Sequence, residues 1–146
     1  MSIHPLQYSY INILPNSAFP GGRVAPRPIL KLTLANADQR LSCYAIIDSG
    51  ADHCVFPRSF MQPLGLDPLT CPNEMSMGMG SANVPTQFAN VTIDMQGLLQ
   101  FPLYAGFTIG LEQMGFGLLG QVGFFDRFNV HFRLSEKLCL IEIPGR

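Results

Sequence analysis

The sequence predicts an all-β fold, a barrel or sandwich of many short strands. Apolar residues recur at every second position in several short runs, and no long segment shows the 3.6-residue period of an amphipathic helix. Glycine (14 residues) and proline (12 residues) are frequent in the 146-residue chain, so turn signals separate these runs throughout. Alternating runs with frequent turns are typical of one all-β domain.

The N-terminal part of the chain differs from the rest. Residues 6–14 form a β-prone run that ends at Pro15, and the segment 15–28 has the proline and glycine content of a loop. We therefore predict an N-terminal strand and Pro/Gly-rich arm over residues 1–27. The main part, residues 28–146, would complete a single domain overall.

The main part begins with a predicted hairpin. Leu30, Leu32 and Leu34 alternate with polar residues, 36–38 supply a turn, and the same period returns up to Ile47. The later elements that we predict are short strands at 54–56, 87–95 and 101–107, a turn of helix within 58–66, and a closing hairpin of 129–133 with 138–143.

Composition excludes several classes of function. The net charge is −1 and only 13% of residues are charged, against roughly 25% in typical domains, so we predict no nucleic-acid partner. A surface this poor in charge weakly favours burial in an oligomer. The cysteines and histidines have no zinc-type spacing, so we predict no metal and no cofactor, with Cys43 and Cys139 as free buried thiols.

The sequence pattern predicts neither a signal peptide nor a membrane helix. The N-terminus lacks a basic segment followed by an apolar one, and no stretch reaches the ~20 apolar residues of a membrane helix. The expectation from these observations is a soluble, reducing, cytoplasmic setting without a membrane partner.

One carboxylate stands in a chemically favourable position. The apolar run 44–47 carries a strand through a core and delivers Asp48 at its end, where Ser49 and Gly50 allow a tight turn. Such a carboxylate is partly desolvated and hydrogen-bonded by nearby amides. It could do acid/base chemistry if a second carboxylate is brought to it.

The segment around Asp48 resembles a known active-site loop. Asp48-Ser49-Gly50-Ala51, preceded by two apolar residues, is similar to the catalytic loop of aspartic proteases. In so short a chain it resembles the retropepsin-like branch, whose members carry one such loop per subunit. The following Asp52 extends the likeness to the retroviral form.

A second motif strengthens the resemblance, which covers residues 28–143. The segment Leu118-Leu119-Gly120 resembles the hydrophobic–hydrophobic–Gly motif that passes behind the catalytic loop in that family and is followed by a short helix. The physical need is an apolar pair behind the acid loop and a glycine where two backbones approach closely.

The resemblance implies a fold and a set of roles. The fold would be a single-lobe acid-protease barrel with one short helix, forming a two-fold homodimer. The implied roles are catalysis for Asp48; support of the active-site loop for Ser49, Gly50 and Ala51; substrate or flap contacts for Asp52, Met77, Gly78, Met79 and Gly80; and loop packing for Leu118, Leu119 and Gly120. A plain solvent-exposed glycine turn is the alternative for the flap segment.

The chain contains one Asp-Ser-Gly loop, whereas the chemistry needs two carboxylates. The implied function is therefore an aspartic endopeptidase that hydrolyses peptide or protein substrates with a water activated by two Asp48 carboxylates, one from each subunit. One departure concerns Gln121, which stands where retroviral enzymes have an arginine paired with the acid at the Asp52 position. Asp52 would then pair with Arg127 or Arg58, or face solvent.

Two other interpretations stay open. The chain could be a catalytically inactive peptide-binding or assembly module that keeps the same fold. It could also be a small β-barrel that binds an apolar ligand, with Asp-Ser-Gly as a coincidental turn. Oligomeric state and cleavage of a peptide library discriminate among these.

Overall fold

The computed structural model describes residues 1–77 and 83–145, and the all-β prediction is confirmed there. Its strands are β1 (Ser2–Gln7), β2 (Ser9–Ile13), β3 (Arg23–Arg27), β4 (Ile29–Asn36), β5 (Gln39–Ile47), β6 (Val55–Pro57), β7 (Asn73–Met77), β8 (Asn83–Asp94), β9 (Gln100–Thr108), β10 (Gly117–Leu119), β11 (Asn129–Arg133) and β12 (Leu138–Ile143). Single turns of 3₁₀ helix cover Arg58–Phe60, Pro68–Thr70, Ile109–Leu111 and Leu134–Glu136.

Residues 30–126 form one compact unit around a seven-stranded sheet. The strand order is β4-β5-β10-β6-β9-β8-β7, and β4 also pairs with β8 through Leu34 and Ile93. This extra pairing joins the two ends of a six-stranded series, which closes the sheet into a barrel. Closure removes free edges from those strands.

The barrel is filled by the residues that alternate along its strands. The inward side chains of β9 are Phe101, Leu103, Ala105 and Phe107, all less than 5% exposed. Those of β4 are Leu30, Leu32 and Leu34. Each large apolar side chain buried in this way stabilises the fold by about 1.5–3 kcal/mol relative to exposure.

The predicted β4–β5 hairpin is confirmed in this unit, and the strands predicted at 87–95 and 101–107 also pair as a hairpin. The β4–β5 hairpin turns at Ala37, whose positive φ of 51° is tolerated at a tight turn. The β8–β9 hairpin turns at Gln96 and Gly97, with φ of 51° and 80°. Two consecutive positive φ values match the twist that antiparallel strands require.

Residues 1–29 and 127–146 form the second compact unit. It contains a three-stranded sheet in the order β1-β12-β11 and a separate ribbon of β2 with β3. The closing hairpin predicted from the sequence is β11–β12, which turns at Lys137 with φ of 56°. The predicted grouping into an arm (1–27) and a main domain (28–146) stays a prediction.

Two expectations for the N-terminal segment are wrong. The β-prone run 6–14 is divided, because β1 loses its partner where β12 begins at Leu138, and Tyr8 N–H donates instead to the Lys137 carbonyl. The predicted loop 15–28 contains β3. Pro26 is compatible with this strand because β3 lies at the edge of a two-stranded ribbon.

The short helix expected after Gly120 is also not formed. Residues 121–127 are a succession of turns, in which Phe125 N–H donates to the Gly120 carbonyl and Asp126 N–H to the Gln121 carbonyl. Gly123 has φ of 108°, which is incompatible with a right-handed helix. The segment therefore turns more widely than an α-helix.

Candidate active site

Asp48 lies directly after β5, at the point where that strand leaves the barrel. Ile46 and Ile47 before it are buried, whereas Asp48 is half-buried and Ser49 and Gly50 are exposed. Asp48 N–H donates to the Leu119 carbonyl at 2.9 Å, which extends the β5–β10 pairing by one residue. The apolar run thus places a carboxylate at the edge of a rigid sheet.

The backbone of the turn contacts the Asp48 carboxylate directly. Gly50 N–H donates to Asp48 Oδ1 at 2.9 Å, and Ala51 N–H donates to the Asp48 carbonyl at 3.2 Å. These two bonds fix the carboxylate relative to the turn. Within the described part of the chain this amide is the one donor to the Asp48 side chain, which leaves the carboxylate with further acceptor capacity.

The strand β10 supports the loop from behind. It lies between β5 and β6, parallel to one and antiparallel to the other, while the chain passes directly from β5 to β6. Residues 48–54 therefore cross the carboxyl end of β10. Leu118 is half-buried and Leu119 is fully buried there.

Gly120 is the point of closest approach between the two segments. A Cβ atom at this position would lie 2.5 Å from the Ala51 carbonyl oxygen and would also collide with the His53 backbone. Only glycine fits where two backbones meet this closely. The next amides continue the contact, since Gln121 N–H donates to the Ala51 carbonyl at 2.8 Å and Val122 N–H to the Asp52 carbonyl at 2.9 Å.

Sequence reasoning missed the role of Cys54 in this support. Its sulfur accepts a hydrogen bond from Gly120 N–H at 3.4 Å and donates to the Val122 carbonyl at 3.6 Å. The side chain is 1% exposed, and burial raises the pKa of its thiol to about 11. Residues two apart on a strand face the same side, so the burial of Phe56 implies that Cys54 also faces inward. This alternation is the sequence signal that could have predicted the position of Cys54.

Gln121 makes a second contact that the sequence did not predict. Its side-chain Nε2 donates to the Ser49 carbonyl at 2.9 Å. Only the NH₂ end of the amide can serve a carbonyl acceptor, so this contact fixes the amide orientation. The residue that departs from the retroviral pattern is thus bonded to the loop.

The other predicted site residues are more scattered. Asp52 is exposed, and it forms no ion pair with Arg58 in the described part of the chain; its pairing with Arg127 stays a prediction. Met77 ends β7, where its backbone pairs with Asn83 of β8. The predicted flap residues Gly78, Met79 and Gly80 lie outside the described residues.

Two other aspartates of the unit, Asp94 and Asp126, accept hydrogen bonds within turns of their own. Asp94 accepts hydrogen bonds from Gly97, Arg40 and Gln100. Asp126 accepts one from Gly123 N–H at 3.1 Å. Among residues 1–77 and 83–145, no three His, Cys, Asp or Glu side chains are grouped so that they could hold a metal ion.

The described part of the chain has no helix long and apolar enough to cross a membrane. Its four cysteines, Cys43, Cys54, Cys71 and Cys139, are all free, as predicted for Cys43 and Cys139.

Comparison with known proteins places the fold. No protein-family model and no curated protein sequence matches this chain. Among solved structures, the chain is similar to a retropepsin-like aspartic protease from Rickettsia conorii, with a TM-score of 0.57, 14% identity, and coverage of 96% of this chain and 92% of that one. The resemblance drawn from Asp48-Ser49-Gly50 and Leu118-Leu119-Gly120 is therefore supported at the level of the fold, which is that of a retropepsin-like aspartic protease.

Proposed function

We propose that this protein is an aspartic endopeptidase that acts as a homodimer, with Asp48 as its catalytic residue. The observation that carries the proposal is the Asp48 carboxylate itself. It stands at the end of a buried strand, accepts one amide hydrogen bond from Gly50, and keeps further acceptor capacity. The structural likeness to a retropepsin-like protease supports the same assignment.

The second carboxylate is Asp48 of another copy. The chain has a single Asp-Ser-Gly loop, and Asp94 and Asp126 are occupied in turns of their own. A two-fold axis beside the loop brings two identical carboxylates together. Ser49, which is exposed in one chain, would then contribute its hydroxyl to the contact between the two loops.

The chemistry follows from two carboxylates that share a proton. Two such groups in contact cannot both ionise without a large repulsion, and aspartic proteases are the reference example of this behaviour. The ionised partner takes a proton from the attacking water, while the protonated partner polarises the scissile carbonyl. The pair therefore titrates as one unit, and the bound water or substrate decides which Asp48 holds the proton.

The substrate class follows from the all-β architecture. An extended peptide can add as a strand, with its backbone bonded to the protein and alternate side chains in apolar pockets. The hairpin of β7 and β8 is the proposed element that closes over it. The free cysteines are in keeping with a reducing, cytoplasmic setting, which we include in the proposal.

The direct test is digestion of a broad peptide library at about pH 4 to 7 by the wild type and by Asp48→Asn. Cleavage by the wild type, and a loss of about 10²–10⁴-fold in Asp48→Asn with the same oligomeric state, is the expected result. A statine-type inhibitor should block the wild type, since its hydroxyl would replace the water between the two carboxylates. A dimer with no cleavage in this range would favour the peptide-binding alternative.

Shared catalysis is tested by mixing the two proteins. If each site needs an Asp48 from both subunits, excess Asp48→Asn should capture wild-type chains in inactive mixed dimers. The activity per wild-type chain should then fall in proportion to the wild-type fraction. Activity that is unchanged by the excess of variant would show that each chain carries a complete site.

A further inference from the structure

The candidate loop contains a hydrogen-bond chain that reaches the Asp48 carboxylate from the turn after β10. Gln121 Nε2 donates to the Ser49 carbonyl at 2.9 Å, and Gly50 N–H donates to Asp48 Oδ1 at 2.9 Å. The Ser49 carbonyl and the Gly50 N–H belong to the same planar peptide group. The Gln121 side chain and the Asp48 side chain are therefore connected through one rigid unit.

This connection has two physical consequences. Holding the carbonyl end of a planar peptide also holds its N–H end, so Gln121 sets the direction of the donor that Asp48 receives. Hydrogen bonds in series also polarise one another, which strengthens the bond at the far end. Both effects act on the carboxylate without bringing a charge near it.

The backbone of Gln121 anchors the arrangement. Its N–H donates to the Ala51 carbonyl at 2.8 Å, and its carbonyl accepts from Asp126 N–H at 3.0 Å. The side chain and the backbone of Gln121 thus bond the carbonyls on both sides of Gly50. Since Ser49 and Gly50 are exposed, these two bonds add to the Gly50–Asp48 hydrogen bond in holding the turn.

We propose that Gln121 is a positioning residue for the catalytic carboxylate, acting as an uncharged clamp on the Ser49–Gly50 peptide. The inference rests on the proposed function of Asp48 and deepens it. In this chain the loop is oriented by an amide, whereas an arginine would place a cation there. The clamp is needed in each copy, because each contributes the same loop.

Three substitutions at this position separate donation from packing. Gln121→Leu keeps the size of the side chain and removes the donor. Gln121→Glu is isosteric, but when ionised it presents only acceptors to the Ser49 carbonyl, and when protonated it regains an O–H donor. Gln121→Asn keeps the amide on a shorter side chain. Gln113→Leu, at an exposed position outside the loop and the turn, is the matched control.

The expected kinetic result is a loss in kcat with little change in KM. Gln121→Leu should lower kcat about threefold to tenfold, the factor that one hydrogen bond supports, while Gln113→Leu should not change it. Gln121→Glu should be less active than Gln121→Leu at about pH 6.5. Its activity relative to the wild type should recover as the pH falls through about 4.3, where a glutamate side chain becomes protonated.

Taking ratios removes the titration of the neighbouring groups. The charged and titratable residues of the two segments, 48–54 and 120–127, are Asp48, Asp52, His53, Cys54, Asp126 and Arg127, and they are common to all variants. A recovery seen in Gln121→Glu and not in Gln121→Leu can therefore be assigned to position 121. The charge added by Gln121→Glu also acts on Asp48 directly, so the loss of the donor is read from Gln121→Leu, which adds no charge.

A second measurement does not depend on cleavage. The amide proton of Gly50, followed by NMR, should move upfield in Gln121→Leu and stay unchanged in Gln113→Leu, because its hydrogen bond to Asp48 weakens. The clamp would be overturned if the wild type is active and Gln121→Leu has the same kcat and the same Gly50 signal. That result would leave the proposed function intact. A wild type without cleavage would defeat the proposed function, and the Gly50 signal would still accept or reject the clamp.

Discussion

The barrel contains two aspartates at the ends of strands, and their surroundings differ. Asp48 follows β5 and Asp94 ends β8, and each accepts a hydrogen bond from the amide of a following glycine, at 2.9 and 3.2 Å. Asp94 Oδ2 also accepts hydrogen bonds from the Arg40 guanidinium at 3.1 Å and from Gln100 Nε2 at 3.2 Å, so the carboxylate is paired with a cation. Within the described part of the chain, the Asp48 side chain accepts a hydrogen bond from the Gly50 amide alone.

The difference separates a structural carboxylate from a candidate catalytic one. Asp94 uses its acceptor capacity to hold a hairpin turn and a neighbouring strand. Asp48 has capacity to spare, and the backbone behind its loop is held by β10. A carboxylate that is fixed in position and incompletely paired is suited to binding water, and this combination is what the Asp-Ser-Gly turn supplies.

Cleavage is where the two aspartates should differ most. Asp48→Asn should lower peptide cleavage by about 10²–10⁴-fold, the range for loss of a positioned acid/base group. Asp94→Asn should leave the rate within about twofold, since its partners lie in the β8–β9 hairpin and at the start of β5, the opposite end of that strand from Asp48. Peptide hydrolysis by both variants, at matched dimer content, makes the comparison. Equal losses would mean that Asp94 contributes to the site.

The two glycine positions near these aspartates should differ in stability. Gly120→Ala should lower the free energy of unfolding by about 3 kcal/mol, because the added methyl group meets the Ala51 and His53 backbone. A Cβ atom at Gly97 would meet no other atom, and the only cost of Gly97→Ala is the positive φ of 80°. The expected loss in the free energy of unfolding is therefore about 1 kcal/mol. Urea denaturation of both variants measures the difference. A smaller loss for Gly120→Ala would show that the loop can move away from β10.

The part of the site that the sequence predicted is local. An apolar strand followed by Asp-Ser-Gly fixes where Asp48 lies on its own element, and the Leu118-Leu119-Gly120 pattern indicates a close approach. The Gln121–Ser49 contact joins residues 72 positions apart, and only the register of β10 against β5 brings them together. Pairing of this kind leaves no local signature.

Elsewhere the failures have similar causes. The strand β3 was hidden by proline and glycine, whose turn preference was stronger than the signal of a short edge strand. The expected helix after Gly120 came from family likeness, and Gly123 with its φ of 108° prevents it here. The dimer, the flap and the catalytic assignment remain predictions, since they depend on a second copy or on residues outside the described ranges.

Thiol reactivity tests whether the support behind the Asp48 loop is as dry as its packing indicates. Burial raises the pKa of Cys54 to about 11, and that of Cys43 and Cys139 to about 12 and 11, whereas Cys71 is half-buried. At about pH 8 a disulfide reagent should label Cys71 first in the native protein and all four thiols after unfolding. Rapid native labelling of Cys54, located by peptide mapping, would show that the loop opens readily.

The ionised form of Asp94 should raise the free energy of unfolding at neutral pH and not in acid. The Gly97 amide, followed by Arg40 and Gln100, holds the pKa of Asp94 below its ordinary value. A carboxylate whose pKa is lower in the folded state adds stability above its unfolded pKa of about 3.9, and this contribution is lost as pH falls through the folded pKa. Unfolding free energies of the wild type and Asp94→Asn should therefore differ at about pH 6 and converge near pH 2. Asp94→Asn keeps an acceptor for Gly97 but sets an NH₂ group against the donors of Arg40 and Gln100, so the difference reports the charge together with these two lost acceptor contacts. A gap that persists in acid would mean that shape, not charge, holds this hairpin.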